Sequence, residues 1–485
     1  MIRTRLLCLS VSVATALVGC TAVGPDYQIP EDSAFAKAQQ AAAKFDGNGS
    51  DAVATQLPAI EGDWWKLYDD PSLNALVQQA LQVNAELRVA AAHLEQAQAR
   101  YAQARAAGGL DTEVEASVAR GAISAQSMLQ PEPLPPATFS EGALSLSYQF
   151  DLFGRIRRGA EAAHANTEAA QAAADLARIS VAASVVAAYA EICHSNHELS
   201  VAKHSIDLQR QSRDVAARLL AAGRGTSTAV QRADSQLALL QASLPPLETQ
   251  RLAAGYKLAE LLDLPPDQTP KQVLQCQSAP TLHQAIPVGD GASLLRRRPD
   301  VRKAERAVAA ATAEIGVATA ELYPDIRLGA SFGASGLLED FGKPVTQMWS
   351  LGPLISWTLP GNGAHARVAA AKAESKAALA EFDKVVLNAL RETQTILVRY
   401  GQDLQREASL REARDHAQAA ADNERSMYQA GRHPYLASLD ASRSLADADA
   451  ALAAAEAQVS QDQIHLFLAL GGGWRKDAQS TSNAN

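Results

Sequence analysis

The chain reads as mainly α-helical with four amphipathic β-strands set into it, built from two copies of one unit: helix, strand, strand, very long helix, turn, helix. Three observations carry this. Ala160–Ala222 and Ala364–Ala430 are long runs of helix formers without Pro, and only the second holds a Gly, Gly401. "FSEGALSLSYQFDLFG" (Phe139–Gly154) puts Leu144, Leu146, Tyr148, Phe150 and Leu152 on one parity, with Ser145, Ser147, Gln149 and Asp151 on the other. That is the period of a strand with one apolar and one polar face. Third, the two halves of the chain align with each other.

Taken in order, the chain opens with Arg3 and Arg5, an uncharged run from Leu6 to Leu17, and "LVGC" ending at Cys20. A basic start, a short apolar core and small residues before a cut read as a secretory signal over residues 1–19. A Cys at the cut resembles a lipobox, so Cys20 is the expected lipidated N-terminus, and several acyl chains anchor stably where one does not. The formal charge is −9. It argues against nucleic-acid binding, which wants a basic face. No unbroken run of 18 apolar residues occurs, so no membrane-crossing helix is expected. Hydrophobic residues make up 47% of the chain, many of them Ala, which predicts a core of small, closely approached side chains.

Residues 20–70 form the lipidated N-terminal segment. The first repeat spans 71–285 and the second 286–474, followed by a flexible tail, 475–485. Glu86–Ser117 aligns without gaps with Asp300–Ser331, and "LAAGRGTSTAVQRADSQLALLQA" (Leu220–Ala242) with "YQAGRHPYLASLDASRSLADADA" (Tyr428–Ala450). A repeat of about two hundred residues is a duplicated domain and not a solenoid unit. Strands are expected at 110–121 and 139–153, then at 323–333 and 349–359, with helical hairpins over 154–263 and 362–470. Pro353 inside the fourth strand requires a bulge or an edge position. Each very long helix measures on the order of 100 Å at 1.5 Å per residue and needs coiled-coil neighbours along its length. Both end on "AGR", where Gly223 and Gly431 suit a left-handed helix stop. Pro434 suits the first turn of the returning helix.

The apolar strand faces of a chain anchored to a membrane meet lipid. There no sheet edge can stay open, because unpaired backbone groups cost several kcal/mol each. The smallest membrane barrels have eight strands. Four cannot close, so several copies must contribute. Two copies or three would both serve.

Cys8 leaves with the signal and Cys20 is modified, leaving Cys193 and Cys276 in an oxidising compartment. Cys193 lies thirty residues before Gly223, about 45 Å up its helix. The returning helix, some 55 Å long, delivers Cys276 to a similar height, and a disulfide between the two is expected. No Gly-rich phosphate loop, GxSxG or HExxH occurs, so no enzyme is expected. His194 and His197 in "CHSNH" could hold a metal at i,i+3 spacing but read as surface or packing residues on a helix. No metal and no cofactor are expected.

"CTAVGPDY" (Cys20–Tyr27), "WWKLYDDPSLNALVQQAL" (Trp64–Leu81), "FDLFGRIR" (Phe150–Arg157), "RRRPDVRKAERAVAAATAEIGVATAELYPDI" (Arg296–Ile326) and "LALGGGW" (Leu468–Trp474) together resemble the TolC-like outer membrane factors, in their lipoprotein branch of multidrug-efflux channels. The resemblance covers nearly the whole mature chain. It implies a homotrimer whose four strands per subunit form a twelve-stranded transmembrane β-barrel, continued by a twelve-helix periplasmic tunnel with an equatorial girdle. It also implies outer membrane lipid as surroundings, with a periplasmic adaptor (membrane fusion) protein and an inner-membrane RND-type pump as partners.

On that reading Gly223, Arg224, Gly431 and Arg432 form the tips that meet the adaptor. The tunnel closes near them through Tyr428, Leu436, Asp440 and Arg443, with Arg232 level with Asp440 and able to tie to it. The expected function is the outer membrane channel of a tripartite system exporting drugs or other small molecules. The alternative is the conduit of a type I protein secretion system. A passive structural lipoprotein leaves the strand pattern unexplained.

Overall fold

The computed structural model describes residues 22–40, 63–126, 129, 131–133, 135–276, 278–282, 286, 291–359 and 363–472. The signal segment, Cys20 and the tail 475–485 lie outside the described residues. In chain order the elements are α1 (Ala34–Gln40), α2 (Pro71–Val83), α3 (Ala85–Ala106), β1 (Leu110–Gly121), β2 (Ala137–Phe150), α4 (Arg155–Ala221), α5 (Ser227–Ala242) and α6 (Leu244–Leu261). Then follow α7 (Gly291–Arg297), α8 (Pro299–Ala320), β3 (Asp325–Leu337), β4 (Gln347–Ser356), α9 (Ala364–Gln429) and α10 (Tyr435–Ala469).

The chain divides into two compact units that cut across the sequence repeats. One holds Met1–Pro30, His93–Gln171 and Lys303–Phe382; the other holds Glu31–Ala92, Ala172–Arg302 and Asp383–Asn485. Each repeat gives its strands to the first unit and its hairpin turn to the second.

In the first unit the strands form one antiparallel sheet in the order β1-β2-β3-β4. Its register is uniform along every pairing, so no bulge accommodates Pro353. It sits opposite Leu328 in β4, an edge strand of this sheet, where a missing N–H can face away from the ladder. Strand β1 lies where the sequence places it, and the other three are shifted. The ladder of β2 stops at Phe150 because Asp151 turns away to accept hydrogen bonds from the N–H groups of Ile156 (3.0 Å) and Arg157 (2.8 Å), satisfying the first turn of α4. β3 begins only after Pro324, leaving Tyr323 to stack on Phe153 with centroids 4.5 Å apart. At the other end β3 runs on to Leu337, pairing with Phe139.

Small residues do form the helical contacts of this unit: Ala165, Ala309 and Ala310, with Tyr27 against them. The segment 22–27 straps across them. Val23 N–H donates to Phe153 O (3.1 Å), and Arg158 donates to Asp26 (2.6 Å) and Glu161 (2.8 Å). Gly316 of α8 admits the strap, since a Cβ there would stand 2.9 Å from Val23 O and 2.6 Å from Arg158 Cγ.

The second unit departs from the expected small-residue core. Trp64 stacks on Phe467 at 4.5 Å, and around them Trp65, Tyr68, Leu73, Val77, Ile192, Leu258 and Leu466 are all buried. α4 contains the one stretch among the described helices apolar enough on average to cross a membrane. Of that stretch 61% is buried inside the protein, so its apolarity serves this core. Arg298, from the "RRRPD" run, is an organising cation. It reaches Asp300 (2.7 Å), Glu392 (2.8 Å) and the carbonyl of Ala469 (2.8 Å). Cys193 and Cys276 are joined in a disulfide, with Cα atoms 4.9 Å apart.

The returning arm of the first hairpin, expected as one helix to about residue 263, is two. It breaks at Ser243 before Pro245 and Pro246, which lack the N–H groups that would carry the helix on.

Candidate functional site

Two features of the fold have functional geometry, one in each unit. The first is the sheet. Its register lines up rows of side chains across all four strands. Val114, Leu144, Phe332 and Trp349 form one row; Leu110, Tyr148, Leu328 and Pro353 form another; Thr112, Leu146, Ala330 and Leu351 lie between them. Phe150, Ile326 and Ile355 extend the same face. The opposite face carries Glu113, Ser145, Ser331 and Ser350 in one row and Asp111, Ser147, Gly329 and Gly352 in the next. Ser331 and Ser350 hydroxyls are hydrogen-bonded at 2.8 Å. Leu354 departs from the pattern by lying on the polar parity.

Among the described residues nothing covers the apolar face. Trp349 is 77% exposed, Val114 74% and Phe332 63%. An apolar surface of this continuity on a lone sheet marks an interaction with lipid or protein. From Leu144 to Phe150 it covers about 20 Å of strand at 3.3 Å per residue, a large part of the apolar band of an outer-membrane barrel. Among the described residues β1 and β4 each have a single partner strand, so two ladder edges remain to be paired.

The second feature is the pair of hairpin turns. Both are the same backbone device. Gly223 N–H donates to Leu220 O (2.9 Å) and Arg224 N–H to Leu219 O (2.9 Å). At the other turn Gly431 N–H donates to Tyr428 O (2.9 Å) and Arg432 N–H to Met427 O (2.9 Å). This paired closure is the Schellman stop, which needs a left-handed residue, and Gly223 (φ 69°) and Gly431 (φ 70°) supply it. Nothing lies within 4 Å of where a Cβ would be at either glycine, and the side chains of Arg224 and Arg432 are exposed.

The arms then restart differently. Thr226 caps α5 by accepting from Ala229 N–H (3.2 Å). Pro434 takes the equivalent place ahead of α10; it stands just before the first turn, not within it.

The candidate gate residues cluster near these turns. Tyr428 and Tyr435 meet across the second turn with centroids 5.5 Å apart. Leu436 is 60% exposed and Asp440 is exposed. Among the described residues no ion pair links Arg232 to Asp440 within the chain. Near the turns Arg443 reaches across to the first hairpin, donating to Gln236 Oε1 at 3.0 Å. Neither Gln236 nor Tyr435 was expected, nor the His433–Glu424 contact (2.8 Å) that spans the turn. The signal for the last two was available, since both pairs flank the same "AGR" within a few residues.

Among the described residues no group of three or more His, Cys, Asp or Glu is placed to hold a metal. His194 is buried and His197 lies near Glu456 (3.9 Å).

The family model described as "Outer membrane efflux protein" matches residues 76–263 and 292–472. The chain is 28% identical over 466 residues to the Nodulation protein T of Rhizobium leguminosarum bv. trifolii, covering 96% of this chain and 97% of that one. It is 29% identical over 474 residues to the solvent efflux pump outer membrane protein SrpC of Pseudomonas putida, covering 94% and 96%. Among solved structures the outer-membrane channel OprN superposes with a TM-score of 0.84 at 35% identity, over 93% of this chain and 99% of that one. The open-state MtrE outer membrane channel of Neisseria gonorrhoeae superposes with a TM-score of 0.79 at 25% identity, over 95% and 100%.

Proposed function

Since the chain belongs to the outer membrane efflux protein family, we propose that it is the outer-membrane conduit of a tripartite efflux system, passing drugs or other small molecules outward. The protein is an outer membrane transport protein and not an enzyme. The observation that carries the finer reading is the two-faced sheet with its unpaired edges. A lone four-stranded sheet in lipid leaves two rows of backbone groups unsatisfied. Three copies, edge to edge, give twelve strands and no edge, with the apolar rows outward and the Ser and Gly rows lining the lumen.

The hairpins of three such subunits form the periplasmic tunnel, and its tips at Gly223, Arg224, Gly431 and Arg432 meet a periplasmic adaptor fed by an inner-membrane RND-type pump. Tyr428, Leu436, Asp440, Arg443 and Arg232 form the periplasmic constriction, Arg443 through its bond to Gln236. Cys20 carries the lipid. Val23, three residues further along the sequence, donates its N–H to Phe153 O beside the end of β2. An acyl chain there enters the same bilayer as Phe150. Efflux is favoured over protein secretion because relatives across nearly the full length are named for solvent and antibiotic efflux pumps.

The test is deletion of the gene and complementation in the native cell. Loss of the chain should raise susceptibility to several unrelated compounds and the retention of a fluorescent dye, and Cys20→Ala should abolish fatty-acid labelling. Unchanged susceptibility together with a lost secreted protein would overturn the efflux reading in favour of secretion.

A further inference from the structure

One carboxylate of the second unit is buried without a cation against it. Asp462 of α10 is 0% exposed. Its Oδ1 accepts from Gln458 Nε2 (3.0 Å), and its Oδ2 finds no donor among the described residues. A second carboxylate, that of Asp403 on α9, comes within hydrogen-bonding reach of it. The register of the two antiparallel helices agrees. The Tyr400–Gln463 bond (3.2 Å) lies to one side of this level and the Arg411–Glu456 bond (2.9 Å) to the other. Ionised carboxylates only accept hydrogen bonds, so two at this separation repel each other unless a proton stands between them.

The other charged and titratable groups of this level do not replace that proton. Arg399 of α9 draws the pair toward ionisation, but more weakly than burial and Asp403 oppose it. Glu407 of α9 and Glu456 of α10 share Arg411, and the Tyr400 hydroxyl is bonded to Gln463. From α4, Glu191 accepts from Gln461 (3.0 Å) and His197 lies near Glu456 (3.9 Å). His194, pushed down to about 4 by burial and then by His197, is neutral at physiological pH. Burial, then Asp403, keep a proton on Asp462 up to about pH 6, and that proton belongs to the pair more than to either residue. Once the helices part, each carboxyl titrates near its ordinary value of about 4. Between those two values the closed hairpin holds the proton and the opened one does not, so closure weakens as pH rises through the window.

The position favours an effect on the helix itself. Asp403 stands two residues beyond Gly401, the one glycine of α9, where nothing lies within 4 Å of a would-be Cβ and helix propensity is low. Counted from the turn glycines, the first hairpin has Ser195 and Ala254 in the places of Asp403 and Asp462. The acid pair is confined to one hairpin.

We propose that Asp403 and Asp462 form a one-proton latch in the second hairpin: the shared proton ties α9 to α10 beside Gly401, and its loss on passing from mildly acidic to neutral medium lets the two helices part at that level. The latch stands independently of what the channel transports.

The experiment is amide hydrogen exchange of the full-length protein in lipid nanodiscs, read by mass spectrometry at about pH 4.5 and about pH 7.5, to either side of the upper end of the window. Rates for peptides covering 398–406 and 457–466 are corrected for the intrinsic exchange of the sequence at each pH, and peptides around Ser195 and Ala254 serve as the internal comparison. In wild type the first two segments should open about tenfold or more as often at the higher pH, while the first hairpin does not follow. Asp462→Asn and Asp403→Asn each put an amide donor in place of the shared proton, and each should reduce that dependence to less than about threefold. Asp403 is half-exposed, so Asp403→Asn keeps the comparison valid should the buried substitution disturb the fold. Equal opening of wild type at the two pH values, the same pH dependence in the first hairpin, or a dependence that survives in both variants would each overturn the latch.

Discussion

The two helical hairpins share one plan and differ in how it is finished. Counted from their turn glycines, "SLPP" (Ser243–Pro246) in the first hairpin occupies the place of "ALAA" (Ala451–Ala454) in the second. Ser243 ends α5, its hydroxyl donating to Leu240 O (2.7 Å), and a new helix starts. α10 runs through the same level unbroken. In the same register Cys193 of α4, bridged to Cys276, corresponds to Gly401 of α9, which has no side chain at all. The first hairpin therefore holds a covalent tie and a broken arm, while the second has neither and carries most of the candidate gate residues. The two hairpins share the turn and the length of the long helix; Pro245 and Pro246 break one arm, and the disulfide ties it.

The largest test of this contrast is the tie. Replacing both Cys193 and Cys276 by Ala should cost about 2–5 kcal/mol, since the bridge closes a loop with a sequence separation of 83, and a urea melt of the oxidised protein would measure it. An unchanged midpoint, with two free thiols titrated in denaturant without reductant, would show the tie absent. Gly401 has nothing comparable to lose: Gly401→Ala, in open space, should stabilise its helix by up to about 1 kcal/mol.

The hairpins also carry opposite proton linkages. Burial first, then the Asp403 carboxylate, pushes Asp462 of α10 up to about 6 from 3.8. Between those values the folded state holds the proton and the unfolded state does not, so this group's contribution to stability falls as pH rises and is a standing cost at pH 7. His194 of α4, lowered to about 4 from 6.5, works the other way: the unfolded state takes the proton first, and stability rises with pH across that window. The two slopes oppose each other between about pH 4 and 6. Asp462→Asn should raise stability at pH 7 by about 1–3 kcal/mol and expose a profile climbing with pH. Thermal melts of wild type and variant at several pH values check it, and parallel profiles would defeat the assignment.

At the turns the hairpins should behave alike. Gly223→Val and Gly431→Val each force a branched side chain into a left-handed backbone, costing about 1–2 kcal/mol, and should impair efflux while trimers still reach the membrane. Full efflux in both would remove the tips from the adaptor contact. The smallest effect separates the restarts. Thr226→Ala should lose about 0.5–1 kcal/mol of capping, visible as a small drop in melting temperature. Pro434→Ala should change less, because no side-chain bond is lost there.

Local patterns are legible in the sequence because they are set by local physics. The period-2 alternation of Leu144 to Phe150, the long Pro-free helices and the "AGR" stops each arise from neighbours along the chain, and each is found in the structure. Strand ends were less legible. Asp151 continues the strand alternation, yet its carboxylate serves α4 better than its backbone serves the ladder. The break at Ser243 was written in Pro245 and Pro246 and outweighed by the helical periodicity around them.

What the sequence by itself determined is therefore the repeating unit, the kinds of element and which face of each strand is apolar. Tertiary structure alone decided which residues meet at long range: Phe139 with Leu337 across the two halves, Trp64 with Phe467, and Arg443 with Gln236. It also decided that Ala-rich helices close on one another around Ala165 and Ala309, while an aromatic core forms around Trp64. The physical reason is that periodicity records how a residue relates to its own helix or strand. Register and burial record which other surface covers it, and that surface comes from residues hundreds of positions away.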